Sequence, residues 1–121
     1  MDTQTFALFP EVRTFLQCQS LYWSGGQKKM VAIARAMALS PLVLLLDEAC
    51  EGLAPVVVQR FAEVVKQIKA MGISVLIAEF NLVNAAKVAD RLYAIDRGEI
   101  IFEGSPQAVF DNADVIKTIH G

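Results

Sequence analysis

Apolar residues fall into short runs separated by longer amphipathic stretches, the rhythm of an α/β layered structure rather than of a sandwich or a helix bundle. The runs at 42–47, 74–79, 92–96 and 99–103 are predicted strands. The first two are apolar at both sets of alternating positions, as in parallel strands covered by helices on each face. The last two flank Arg97-Gly98 and predict an antiparallel hairpin at one edge. Between these runs, 26–39 predicts a helix with Met30, Ile33, Ala34 and Met37 on one face, and Pro41 then imposes an extended approach to the next strand. The stretch 56–71 predicts a second helix, with Phe61, Val64, Val65 and Ile68 at helical spacing, Pro55 before it and Gly72 after it. Shorter helices are predicted at 82–89, 106–110 and 113–119. No repeat, low-complexity tract or linker interrupts the pattern, so one compact unit is the simplest organisation.

Composition narrows the class. Hydrophobic residues make up 55% of the 121 residues and charged ones 20%, a balance that excludes a disordered chain and allows a buried core. No run reaches the roughly 18 consecutive apolar residues of a membrane helix, so direct membrane insertion is not expected. A formal net charge of −2 offers no basic face for a phosphate backbone, which argues against nucleic acid as a partner. The opening Met1-Asp2-Thr3-Gln4-Thr5 carries an acid where a secretory signal would carry Lys or Arg, and a cytoplasmic location is expected. Cys18 and Cys50 lie far apart without CxxC or Cys/His spacing, which fits neither a disulfide scaffold nor a zinc site.

Two stretches carry candidate chemistry. In Trp23-Ser24-Gly25-Gly26-Gln27-Lys28-Lys29-Met30, Ser24 and Gln27 stand at capping-box spacing and mark a helix start. Gly25 and Gly26 weaken a first turn, so they need a reason. Close approach of an anion to the backbone is one, because the N–H groups and dipole of a helix start suit a phosphate. A Gly-rich turn before an ordinary helix is the other. Lys28 and Lys29 are expected on a solvated face, and His120 at the surface. The run Leu42-Val43-Leu44-Leu45-Leu46-Asp47-Glu48 is a strand ending in two carboxylates. At the carboxyl end of a parallel strand Asp47 can hold Mg²⁺ and Glu48 can polarise a water, or both can form a solvated acidic turn.

The order of these pieces resembles the ATP-binding cassette (ABC) family. Trp23-Ser24-Gly25-Gly26-Gln27 is similar to the family signature apart from its first residue, Leu44-Leu45-Leu46-Asp47-Glu48 to the Walker B strand, and Cys50-Glu51-Gly52-Leu53-Ala54-Pro55 to the D-loop. Ser74-Val75-Leu76-Ile77-Ala78-Glu79 resembles the strand leading to the switch loop. Ala89-Asp90-Arg91, Asp96-Arg97-Gly98-Glu99-Ile100 and Glu103-Gly104-Ser105-Pro106 resemble the carboxy-terminal strands. Glu51-Gly52-Leu53-Ala54-Pro55, the Glu79-x-Asn81 spacing and the ending Val115-Ile116-Lys117-x-x-His120-Gly121 look most like the ATP-binding subunits of branched-chain amino-acid or urea importers. Lipopolysaccharide-export cassettes share part of this pattern.

The resemblance implies a partial P-loop NTPase fold: α/β, a mostly parallel sheet with a carboxy-terminal antiparallel hairpin, and helices on both faces. It implies ATP and Mg²⁺ as cofactors, with Ser24, Gly25, Gly26 and Gln27 on the γ-phosphate of ATP bound to a partner, Asp47 on the metal and Glu48 as the catalytic carboxylate. No GxxxxGK[ST] match occurs in the sequence. The chain therefore resembles the second half of a cassette, a single truncated domain in which 1–22 is a remnant of the helical subdomain. Phe80 stands where the family has a His or Gln, Ala49 replaces Pro, Cys50 replaces Ser or Thr, and Trp23 replaces Leu. These departures suggest relaxed selection on hydrolysis. The expected partners are a second copy of the chain or a P-loop-bearing cassette half, with a membrane subunit of a transporter. The contrasting expectation is a non-catalytic module that self-associates or docks on another protein.

Overall fold

The two runs richest in Val, Leu and Ile pair with each other. β1 (Val43–Asp47) lies parallel to β2 (Ser74–Ala78), with Val43 opposite Ser74 and Asp47 opposite Ala78. The computed structural model describes Pro10 and residues 25–120, and it divides after Ala78 into two units, each with its own packing. The expected helical remnant at 1–22 lies outside the described residues apart from Pro10, and Cys18, Trp23 and Ser24 lie outside them too.

In the amino-terminal unit α1 (Gly25–Met37) precedes β1, and α2 (Pro55–Ala70) makes the crossover that a parallel pair requires. α1 buries Val31, Ile33, Ala34 and Met37, while Met30, expected in this stripe, is half-buried. α2 begins with Pro55 in its first turn, where a missing N–H is no loss. It buries Val58, Phe61, Val64, Val65 and Ile68, the predicted face extended by one turn. Ile68 is 0% exposed, and full burial of such a side chain contributes about 1.5–3 kcal/mol.

The strands are covered unevenly. Leu44 is buried and Leu46, Val75 and Ile77 are half-buried, whereas the alternate side chains Val43, Leu45 and Leu76 are 56%, 70% and 64% exposed. A strand apolar on both faces predicts cover on both. Here the second face is apolar but open.

In the carboxy-terminal unit β3 (Leu92–Asp96) and β4 (Glu99–Gly104) form the predicted antiparallel hairpin. Asp96 faces Glu99, so the turn is Arg97-Gly98, with φ of 50° and 79°. Two central residues at positive φ make a type I′ turn, and Gly98 adopts this conformation without a Cβ clash. Three helices complete the unit: α3 (Leu82–Val88), α4 (Pro106–Phe110) and α5 (Ala113–His120). Each has a side-chain cap at its start. Asn81 Oδ1 accepts from Asn84 N–H at 3.0 Å, Ser105 Oγ from Ala108 N–H at 3.2 Å and Asn112 Oδ1 from Val115 N–H at 3.1 Å. Such caps contribute about 1 kcal/mol each. Leu82, Ala94, Val109 and Val115 form the core, with Leu92, Ile101, Phe102, Ile116 and Ile119 packed around them. The α/β class and the hairpin are those the sequence predicts. No helix among the described residues is long and apolar enough to cross a membrane.

Candidate functional site

β1 ends in an acidic turn held in an unusual conformation. Asp47 is exposed and Glu48, half-buried, has φ of 50°, the left-handed region that costs a residue with a Cβ about 1–2 kcal/mol. Hydrogen bonds fix it there. Glu48 N–H donates to the Ala78 carbonyl at 2.8 Å, extending the β1–β2 ladder, and the Glu48 carbonyl accepts from Glu51 N–H at 3.2 Å. The same carbonyl accepts from Lys29 Nζ at 3.0 Å, and Lys29 Nζ also donates to the Glu51 carbonyl at 2.8 Å. Ala49 and Cys50, the next two residues of the turn, are buried. A left-handed residue held from several directions is over-determined by its surroundings, as strained positions in functional loops are.

Lys29 departs from expectation. Lys28 is exposed, as a solvated face requires, but Lys29 is half-buried and clasps the loop after β1. No local pattern marks a lysine for this role, since its acceptors lie 19 and 22 residues away. The one available signal is general: a loop carbonyl outside a helix or strand must find a donor somewhere.

The two glycines at the start of α1 separate in meaning. A Cβ on Gly26 would lie 2.9 Å from Val57 Cγ1, so Gly26 is required for packing of α1 against α2. A Cβ on Gly25 would meet none of the described residues within 4 Å. Packing among the described residues therefore accounts for Gly26 and not for Gly25. Gln27 is half-buried in the first turn, and Ser24, its expected capping partner, is outside the described residues. Lys29 therefore links the helix that carries Gly25, Gly26 and Gln27 to the turn that carries Asp47 and Glu48.

The donor set speaks to a metal. Among the described residues no group of three or more His, Cys, Asp or Glu side chains could hold an ion. Asp47 and Glu48 offer carboxylate oxygens from one or two side chains. That fits Mg²⁺, which keeps several waters and shares its coordination with substrate phosphates.

In the carboxy-terminal unit the Glu79-x-Asn81 spacing builds a turn. Glu79 Oε1 accepts from Phe80 N–H at 3.1 Å and Asn81 N–H at 3.3 Å, and Asn81 caps α3. Phe80 itself is 83% exposed, and its ring cannot donate a hydrogen bond to a phosphate. On the hairpin surface Arg91 is hydrogen-bonded to Glu103 and, at 3.2 Å, to Tyr93. The hydrogen bond from Arg91, and after it the guanidinium charge, hold the Glu103 carboxyl below its ordinary range, and the same pairing raises Arg91. A cavity of about 210 Å³ in this unit is bordered by Leu82, Leu92, Ala94, Asp96 and Val109. Its described lining includes none of Gly25, Gly26, Gln27, Asp47 or Glu48.

A strand ending in Asp-Glu, a glycine-led helix tied to it and a carboxy-terminal hairpin are the parts of an ATP-binding cassette. The ABC transporter family profile matches residues 5–51. BraG of Pseudomonas aeruginosa, a high-affinity branched-chain amino acid transport ATP-binding protein, is 36% identical over 108 residues, which cover 89% of this chain and 46% of BraG. LptB of Acidithiobacillus ferridurans, the ATP-binding protein of a lipopolysaccharide export system, is 37% identical over 89 residues, 74% of this chain and 37% of LptB. Among solved structures, the ADP conformation of MJ1267, an ATP-binding cassette of an ABC transporter, superposes with a TM-score of 0.85 and 29% identity over 97% of this chain and 48% of that one. The chain belongs to the ABC transporter ATP-binding family. It spans about half the length of BraG and of MJ1267.

Proposed function

We propose that the chain supplies the signature and Walker B elements of an ATP-binding subunit in a branched-chain amino-acid type importer, and that the phosphate-cradling P-loop comes from sequence outside these 121 residues. The observation that carries this reading is the linkage of α1, which begins at Gly25, to the Asp47-Glu48 turn through Lys29. Gly25, with Ser24, Gly26 and Gln27, contacts the γ-phosphate of ATP bound to a facing P-loop, where the N–H groups and dipole of the start of α1 favour an anion. Asp47 would hold Mg²⁺, which would supply positive charge to the phosphates. Glu48 orients the attacking water and accepts its proton. The likeness to BraG supports the importer class, and the site of action is the cytoplasmic face of the membrane, beside a transporter membrane subunit.

Phosphate release tests the assignment. The chain alone is expected to release none from Mg-ATP, and a mixture with a P-loop-bearing cassette half is expected to do so until Glu48→Gln stops it. Release that persists in Glu48→Gln would refute the role of Glu48.

A second reading is favoured by the open apolar side chains Val43, Leu45 and Leu76 in one unit and Ile95 and Ile100 in the other. Apolar sheet faces of this kind seek cover, and a second copy of the chain is the simplest source. Light scattering at high dilution is expected to give a dimer or larger species; a monomeric mass would remove this reading.

A further inference from the structure

We infer that Lys29 is a positioning residue that sets the backbone from which the Glu48 carboxylate extends, so that α1 and the acidic turn move as one piece. The inference rests on the proposed role of Glu48. A lysine ammonium carries three donors, and two of them are used here on the Glu48 and Glu51 carbonyls at 3.0 and 2.8 Å. Hydrogen bonds from a charged donor are about twice as strong as neutral ones. One falls on Glu48, whose φ of 50° needs external support, the other on Glu51 three residues on, and both come from α1, two positions beyond Gln27. A local turn bond, Glu51 N–H to the Glu48 carbonyl, shapes the loop but cannot fix it relative to α1. Lys29 does both: it closes the loop and anchors it to the helix that begins at Gly25.

The test is amide hydrogen exchange on the full 121-residue chain without nucleotide. Glu48, Glu51 and Leu53 each donate a backbone hydrogen bond in or beside the turn. Lys29→Met keeps most of the side-chain stem and removes both bonds, and it is expected to speed exchange at these three amides by about tenfold or more. Amides inside α1 should stay protected, Lys29→Arg should restore most of the protection in the turn, and Lys28→Met should change nothing. The inference is overturned if Lys29→Met leaves the turn within about twofold of the original chain while α1 stays protected. If Lys29→Met unfolds α1, the Arg variant decides: a folded Lys29→Arg chain with a loosened turn overturns the inference equally. In the mixture with a P-loop-bearing half, Lys29→Met should lower kcat at unchanged KM for ATP. Failure of the exchange result counts against Lys29, whereas failure of the original mixture to release phosphate counts against the ATP reading.

Discussion

The two units are built from contacts of different range. In the carboxy-terminal unit, β3 and β4 are joined by two residues, three helix starts are capped from within a few positions, and Leu82, Ala94, Val109 and Val115 close a core of their own. In the amino-terminal unit, β1 pairs with a strand that begins 31 positions after its own start, at Ser74 opposite Val43, and Lys29 reaches over 19 and 22 positions to Glu48 and Glu51. Its sheet face bearing Val43, Leu45 and Leu76 stays open. The unit that closes its local structure carries little of the proposed chemistry. The unit that carries the acidic pair is held by long-range contacts, one of them from a side chain; open apolar side chains occur in both units, at Val43, Leu45 and Leu76 here and at Ile95 and Ile100 in the other.

Mutations in each unit can break or sharpen this contrast. Ile68→Ala, in the wholly buried seam of α2, is expected to cost about 2–5 kcal/mol, while Val109→Ala in the other core removes fewer carbons and should cost nearer 1.5–2.5 kcal/mol. Urea denaturation followed by circular dichroism reads both, and a larger loss for Val109→Ala would reverse the ranking. Next come the adjacent glycines. Gly26→Ala forces a methyl against the stiff Val57 side chain and is expected to destabilise by about 1–3 kcal/mol, whereas Gly25→Ala, whose methyl would meet none of the described residues, should fall within about 0.5 kcal/mol of the original. Equal losses in the two variants would remove the distinction between a packing glycine and an open one.

The smallest effect is the pH dependence of the hairpin surface. Arg91 lowers Glu103 below its ordinary value of 4.5, so the pair stabilises the folded chain above that value and the contribution fades as pH falls through the lowered one. Glu103→Gln should therefore differ from the original chain at neutral pH and converge with it in acid. Because both side chains are exposed, added salt should also shrink the difference. Thermal melts at several pH values and two salt concentrations check this, and a difference that grows in acid would contradict it.

Much of the fold was legible because it follows from local rules. The apolar spacing of Phe61, Val64, Val65 and Ile68, the punctuation by Pro55 and Gly72, and the Arg97-Gly98 turn each state their structure within a few residues. The acidic end of β1 was legible as well, since an apolar run that stops at Asp47-Glu48 ends a strand whatever packs around it. What could not be read depends on partners distant in sequence. Gly26 is a glycine because of Val57, and Lys29 is a clasp because the loop after β1 presents two carbonyls to it. Composition promised cover for both faces of β1 and β2, and it describes their side chains correctly. It does not say that these residues themselves provide that cover.

The central claim is that Asp47 and Glu48 serve a nucleotide whose phosphates are cradled by sequence outside this chain. Calorimetric titration with Mg-ATP, on the chain alone and mixed with a P-loop-bearing cassette half, tests it most directly. The account predicts no measurable binding to the chain alone and binding in the mixture that weakens when Asp47→Ala is introduced. Micromolar binding by the chain alone, or binding in the mixture that ignores Asp47→Ala, would contradict it.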